Sequence, residues 1–331
     1  MAADPKLAHV AAELAADAPL MACRFDPTGK FVFATSENRS IYRWDLADTK
    51  KRIAFAAHDS WVFDLAATPD GQTLISAGGD DQLIWWPAAA DAPAPIRTVR
   101  AHDGWIRALA MSPDGKLLAS GGNDRVVRLW NVADGAKVRE FTGAGRDIYS
   151  IIFHPGGQWL LAGDLDGKIH QWNIADGALI RTFDAAALHV YEGGQQVHYG
   201  GVRALAISAD TKWLVGGGLY KGTNPLGNVQ EPLALRFEWE SAKMVRQHIT
   251  EGTPNERIWA MHYHPQGFLV AVIGGQKGML IFWNEGEEKP FHTFALPNTA
   301  KGMSVHSDGM QIATTHHDSK LRITRLEAKK A

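Results

Sequence analysis

Residues 100–131, RAHDGWIRALAMSPDGKLLASGGNDRVVRLWN, hold three short apolar runs in strand rhythm, IRALAM, KLLAS and VVRLW, cut by the breakers SPDG and GGND. Each run is too short for a stable helix, and Gly, Pro, Asn and Asp mark the reversals. A further run, AKVREF, follows the turn at Asp134-Gly135. The stretch therefore predicts a four-stranded antiparallel meander.

The rest of the chain reads as copies of it. The aromatic that ends the third strand recurs as Trp44, Trp86, Trp130, Trp172, Trp239 and Trp283, at intervals of 42, 44, 42, 67 and 44 residues, and Thr324 takes the seventh place. The first turn recurs as DPTG at Asp26, TPDG at Thr68, SPDG at Ser112, HPGG at His154, SADT at Ser208, HPQG at His264 and HSDG at His306. A period in the low forties with one four-stranded sheet per repeat is the signature of a propeller. The sequence resembles the WD40 family over essentially its whole length. That resemblance implies an all-β fold in which residues 1–331 form a single closed β-propeller of seven four-stranded antiparallel blades.

Two repeats match the family's internal hydrogen-bond tetrad in full, with His58, Ser76, Asp80 and Trp86 in the second blade and His102, Ser120, Asp124 and Trp130 in the third. An indole N–H, a hydroxyl, an imidazole and a carboxylate can satisfy one another in a chain, where an unpaired buried polar group costs about 1–3 kcal/mol. The rival reading of His, Ser and Asp as a nucleophilic triad lacks a nucleophile elbow and oxyanion donors. Other repeats depart from the pattern. The first has Asn38 for the Asp, the fourth keeps Asp166 but has Ala144 and Ala162, and the sixth has its Trp one residue late, so these blades lean on apolar packing.

Composition bounds the partners. With 45% apolar residues in 331 the chain can bury a large core, and a net charge of −2 with acids and bases interspersed leaves no footprint for nucleic acid or an anionic membrane surface. The single cysteine, Cys23 in LMACRF, makes no internal disulfide and reads as a small core residue of a protein in a reducing compartment. The first twenty residues contain no apolar signal core. These features are those expected of a cytoplasmic monomer. No CxxC, HExxH, P-loop or dinucleotide fingerprint occurs, and no cofactor is expected. His154, His264 and His306 fall one per blade, and His262 with His264 lacks an acidic third ligand nearby, so no metal site is expected either.

Two features bear on closure and function. Residues 6–14, KLAHVAAEL, precede the first blade with no other place to go, and are expected to supply the outer strand of blade seven; the competing reading is a short alanine-rich helix. Blade five carries two insertions, 188–200 and 219–232, rich in Gly, Asn, Gln, Tyr and His. Propeller topology sends both out of one face, side by side, with Tyr191, Tyr199 and Tyr220 available for contact.

The same face should carry the residues that flank the first apolar position of each blade's opening strand. Trp61, Phe63, Trp105, Arg107, Tyr149, Arg203, Arg257 and Trp259 stand there, a composition typical of binding hot spots, and in the WD40 family the equivalent positions contact partner peptides. The expected function is a non-enzymatic scaffold that binds a protein or peptide on this rim. The alternative is a propeller hydrolase or lactonase with a small-molecule or metal site in the central channel, for which convergent ligands are not evident.

Overall fold

The computed structural model describes residues 2–56, 58–224, 229–250 and 252–329. Among them are seven four-stranded antiparallel sheets, one per repeat, with the strands of each in sequence order except in the last. This is the all-β fold of seven propeller blades that the repeats predict. The second strand of each blade is nearly all buried, as in Thr73–Gly78 and Phe268–Gly274, because both faces of a blade are covered. That is why these strands read as continuous apolar or small-residue runs rather than as alternations.

The repeated first turn has a conformational cause. Its last residue lies in the left-handed region at Gly29, Gly71, Gly115, Gly157, Gly267 and Gly309, with φ between 66° and 87°. Only glycine enters this region without a side-chain clash, and Thr211 of SADT, at φ 58°, is the exception.

In the seventh blade the outer strand comes from the other end of the chain. Ala8–Ala15 pairs with Lys320–Leu326, which pairs with Gln311–His316 and then Ala300–Val305. The expectation of an N-terminal strand closing the last blade is met, and the helical alternative for the alanines is not. Alanine's helix propensity loses to an open sheet edge that offers hydrogen bonds and a place to bury Leu14. Residues Pro5–Leu7 form one 3₁₀ turn ahead of the strand, capped by the Asp4 carboxylate. The ends are also ion-paired: the buried Arg322 donates to Glu13 Oε1 at 2.7 Å and to both oxygens of Asp318 at 3.0 and 2.6 Å.

The chain gathers into two compact units, one of Met1–Asp124, Leu129–Val138 and Lys301–Ala331, the other of Arg125–Arg128 and Arg139–Ala300. In the first, blades pack side by side around Leu20, Tyr42, Trp44 and Leu321, around Phe33, Phe55 and Trp86, and around Trp85, Ile106 and Trp130. Asp64 ties three of these blades together: its carboxylate takes Arg24 Nη2 at 3.1 Å and the Leu109 amide at 2.9 Å. In the second unit one cluster joins Phe183, Val202, Leu214 and Trp239, and another joins Val215, Met261, Leu269 and Trp283. Among the described residues no helix is long and apolar enough to cross a membrane.

Candidate functional site

The ladder between the first two strands slips by one residue in blades two, three, four and six, between Val62 and Asp64, Ile106 and Ala108, Ile148 and Ser150, and Ile258 and Ala260. The skipped residues are Phe63, Arg107, Tyr149 and Trp259. A bulged residue leaves the ladder and its side chain is re-aimed, and bulges gather beside functional sites. The apolar residue before each bulge, Val62, Ile106, Ile148 or Ile258, is wholly buried and fixes the strand on which the bulge stands.

In the first unit these bulges build one cluster. Phe63 lies between two tryptophans, 6.4 Å from Trp61 in an edge contact and 5.5 Å from Trp105 in a tilted one. The Arg107 guanidinium sits 5.2 Å from the Trp105 ring and 5.7 Å from Phe63, and its Nε donates to Asn123 Oδ1 at 2.5 Å. Trp61 is 46% exposed and Trp105 43%, so both indoles stay open instead of folding into the core.

The second unit alternates cations with rings. Arg203 stacks 3.8 Å over Tyr149 and lies 5.9 Å from Trp259, which has Arg257 at 5.2 Å. Three members are also anchored to the blades. Arg203 Nε donates to the Gly200 carbonyl at 2.8 Å, Trp259 Nε1 donates to the Gly274 carbonyl at 2.9 Å, and the Gln230 amide, turned with its oxygen inward, accepts from Arg257 at 3.0 and 3.1 Å. Beside Arg257, burial raises the Glu256 carboxyl above its ordinary range although the Lys277 and Gln276 amides donate to it. All four are half-buried, so this row is less open than the tryptophan cluster.

Both insertions of blade five are β-hairpins. The first is the two-stranded sheet His189–Glu192 with Val197–Gly200; the second lengthens Trp213–Asn224 and Val229–Glu238 beyond the blade, pairing Leu219 with Pro232 and Tyr220 with Glu231. Residues 225–228 of the second insertion lie outside the described residues. The hairpins touch: a side chain added at Gly222 would run into the Tyr199 ring, with its hydroxyl 2.4 Å away. Tyr199 thus packs hairpin against hairpin, and burial raises its hydroxyl pKa. Tyr220 packs partly buried against the core near Phe183 and Trp239, while Tyr191 is 54% exposed.

The tetrads close as the residues require. The Ser76 hydroxyl accepts from Trp86 Nε1 at 2.9 Å and meets His58 Nε2 at 2.7 Å, while His58 Nδ1 reaches Asp80 at 2.9 Å; Ser120, Trp130, His102 and Asp124 repeat this at 2.8, 2.7 and 3.0 Å. Burial opposes ionisation of Asp80, but hydrogen bonds from His58 and the Asp59 amide outweigh it and hold the carboxyl below its usual range. The family model described as "WD domain, G-beta repeat" matches four segments, 11–45, 49–86, 93–131 and 135–173. These four segments are WD40 repeats. No curated protein matches it.

The matched segments fall in the first four blades, and blades four and six show where the pattern erodes. Blade six has Ala271 on the ladder position that Ser76 holds in blade two, and the buried Trp283 N–H finds no partner. In blade four Trp172 Nε1 turns to the Thr142 carbonyl at 3.1 Å, and the buried carboxylate is Asp164, taking His170 Nε2 at 2.9 Å. Asp166, which holds the tetrad position in the sequence, is released from that role because Ala144 and Ala162 replace its partners. The turn histidines are caps: Nδ1 of His154 and His264 accepts an amide two residues on, at 3.0 and 3.2 Å, while Nδ1 of His306 lies 2.9 Å from the Asp308 carboxylate.

Sequence reasoning missed one constellation. Asp166, His189 and His198 bring one potential ligand atom each within 4.8 Å of one another, the one such group among the described residues. Burial, with help from His198 and Arg146, keeps the His189 ring below its ordinary pKa despite the nearby Asp166. The available signal was two histidines in one Gly-rich insertion and an aspartate whose tetrad partners are alanine.

Proposed function

We propose that the protein is a non-enzymatic, monomeric cytoplasmic WD40 scaffold that captures an extended protein or peptide segment, with Trp61, Phe63, Trp105 and Arg107 as its anchor. WD40 repeats in general are protein-interaction modules. The observation that carries the reading is the pair of open indoles held about bulged Phe63, a large apolar surface that a monomer has no internal reason to leave wet. Arg107 beside them suits a carboxylate or backbone carbonyl of the bound segment. In the second unit Tyr149, Arg203, Arg257 and Trp259, with Tyr191 on the first hairpin, offer candidate contacts of their own.

The test compares wild type with the Trp61→Ala/Trp105→Ala double variant as baits in native lysate, with capture quantified by mass spectrometry. Loss of specifically captured partners at unchanged melting temperature is expected. Equal capture by both proteins would overturn the reading. Tyr149, Arg203 and Trp259 are poorer positions for this first test, since each supports its neighbours as well as any ligand.

A further inference from the structure

Asp166 sits in the turn between Trp159–Asp164 and Lys168–Asn173 of blade four, whereas His189 and His198 stand diagonally on the two strands of the first blade-five hairpin, opposite Gly200 and Tyr191, with their rings stacked 5.1 Å apart. His189 Nε2 lies 2.9 Å from His198 Nδ1 and 3.9 Å from Asp166 Oδ1. Ligands about 2.0–2.1 Å from one ion stand roughly 2.9–3.4 Å apart in octahedral or tetrahedral arrangement. The two imidazoles are already at that spacing. The carboxylate, 35% exposed, needs to move in by about an ångström, within reach of a side-chain rotation. We propose that Asp166, His189 and His198 form a binding site for a zinc-class divalent transition-metal ion, which pins the first hairpin to blade four.

The donor set selects the ion. Two imidazoles and one carboxylate suit zinc, cobalt(II) or iron(II), and a hard cation such as calcium or magnesium would want oxygens in place of the rings. Three protein ligands leave at least one position for water. Asp166 is available because blade four has lost the tetrad histidine and serine that hold its counterparts Asp80 and Asp124.

Arg146 supplies the competing charge. Its Nη2 meets His198 Nε2 at 3.2 Å and its Nε lies 3.4 Å from Asp166 Oδ1. With Nε2 accepting from Arg146, the His198 proton sits on Nδ1 and points at His189 Nε2, so one proton occupies the space between the ring nitrogens. An ion replaces that proton when the guanidinium, 39% exposed, swings out and the proton moves to the vacated Nε2. The arginine thus neutralises Asp166 and opposes the ion, and its removal should strengthen binding.

The test titrates chelator-treated, untagged protein with cobalt(II), read by d–d absorption, and with zinc, read by calorimetry. One saturable equivalent is expected, weakened about 100-fold or more in His189→Ala and in His198→Ala and kept in His317→Ala, whose imidazole is exposed elsewhere. Arg146→Gln should bind severalfold tighter, and zinc should slow amide exchange across 189–200. Absence of saturable binding, or binding that survives loss of His189 and His198 together, would overturn the proposal. Neither result depends on whether the tryptophan cluster binds a peptide, so the two readings fail separately.

Discussion

Ser76 and Ser120 show what single side chains do in this fold. Each hydroxyl satisfies an indole N–H and an imidazole nitrogen at once, deep between strands. Ser76→Ala leaves both of those groups buried and unpaired and should cost about 2 kcal/mol in denaturant-induced unfolding; a loss under about 0.5 kcal/mol would show that the tetrad does not hold the blade. His248 has the opposite character. It is buried, donates from Nδ1 to the Glu287 carbonyl at 2.8 Å, and burial, outweighing that bond, lowers its pKa to about 4 from 6.5. The unfolded chain therefore takes up a proton that the folded chain refuses as pH falls below 6.5. Stability is full above that value and declines toward pH 4, by on the order of 2 kcal/mol at pH 5. Melting temperatures measured between pH 7 and pH 5 should fall, and His248→Phe should flatten the slope. An equal slope in the variant would assign the acid sensitivity to other groups.

At the scale of elements, the N-terminal strand is the sharpest case. Ala8–Ala15 covers Lys320–Leu326 over seven paired positions, buries Leu14 and places Glu13 against Lys320 and Arg322. Deleting residues 1–15 opens an apolar sheet edge and leaves the buried Arg322 short of one carboxylate. The truncated chain should fail to fold in soluble form, and an unchanged melting temperature would contradict the pairing. The strand was legible in the sequence because the last repeat lacks a partner, an argument of counting rather than of propensity. Blades one to four were legible for a similar reason: left-handed turn glycines and third-strand tryptophans recur at fixed spacing, and in blades two and three the tetrads add to them. The two hairpins were legible as insertions but not as strands, since their pairing depends on each other and on Tyr199 against Gly222. Asp166 was misleading, because its position in the repeat predicts a tetrad role that Ala144 and Ala162 remove. The bulges under Phe63, Arg107, Tyr149 and Trp259 leave no mark in the residue pattern beyond the unusual residues themselves.

For the molecule as a whole, the regular scaffold and the irregular surface have separate origins. Repetition supplies seven sheets whose interiors are fixed by buried aliphatics, indoles and tetrads, and the bulged ladder positions and blade-five hairpins vary upon that frame. Function is expected where the repeats differ from one another, above all at Trp61, Phe63, Trp105 and Arg107. Amide hydrogen exchange of the protein with and without its captured partner measures this most directly. Protection gained around 61–63 and 105–107, and absent in the Trp61→Ala/Trp105→Ala variant, is the predicted result; a partner that binds tightly while leaving both stretches unchanged would contradict it.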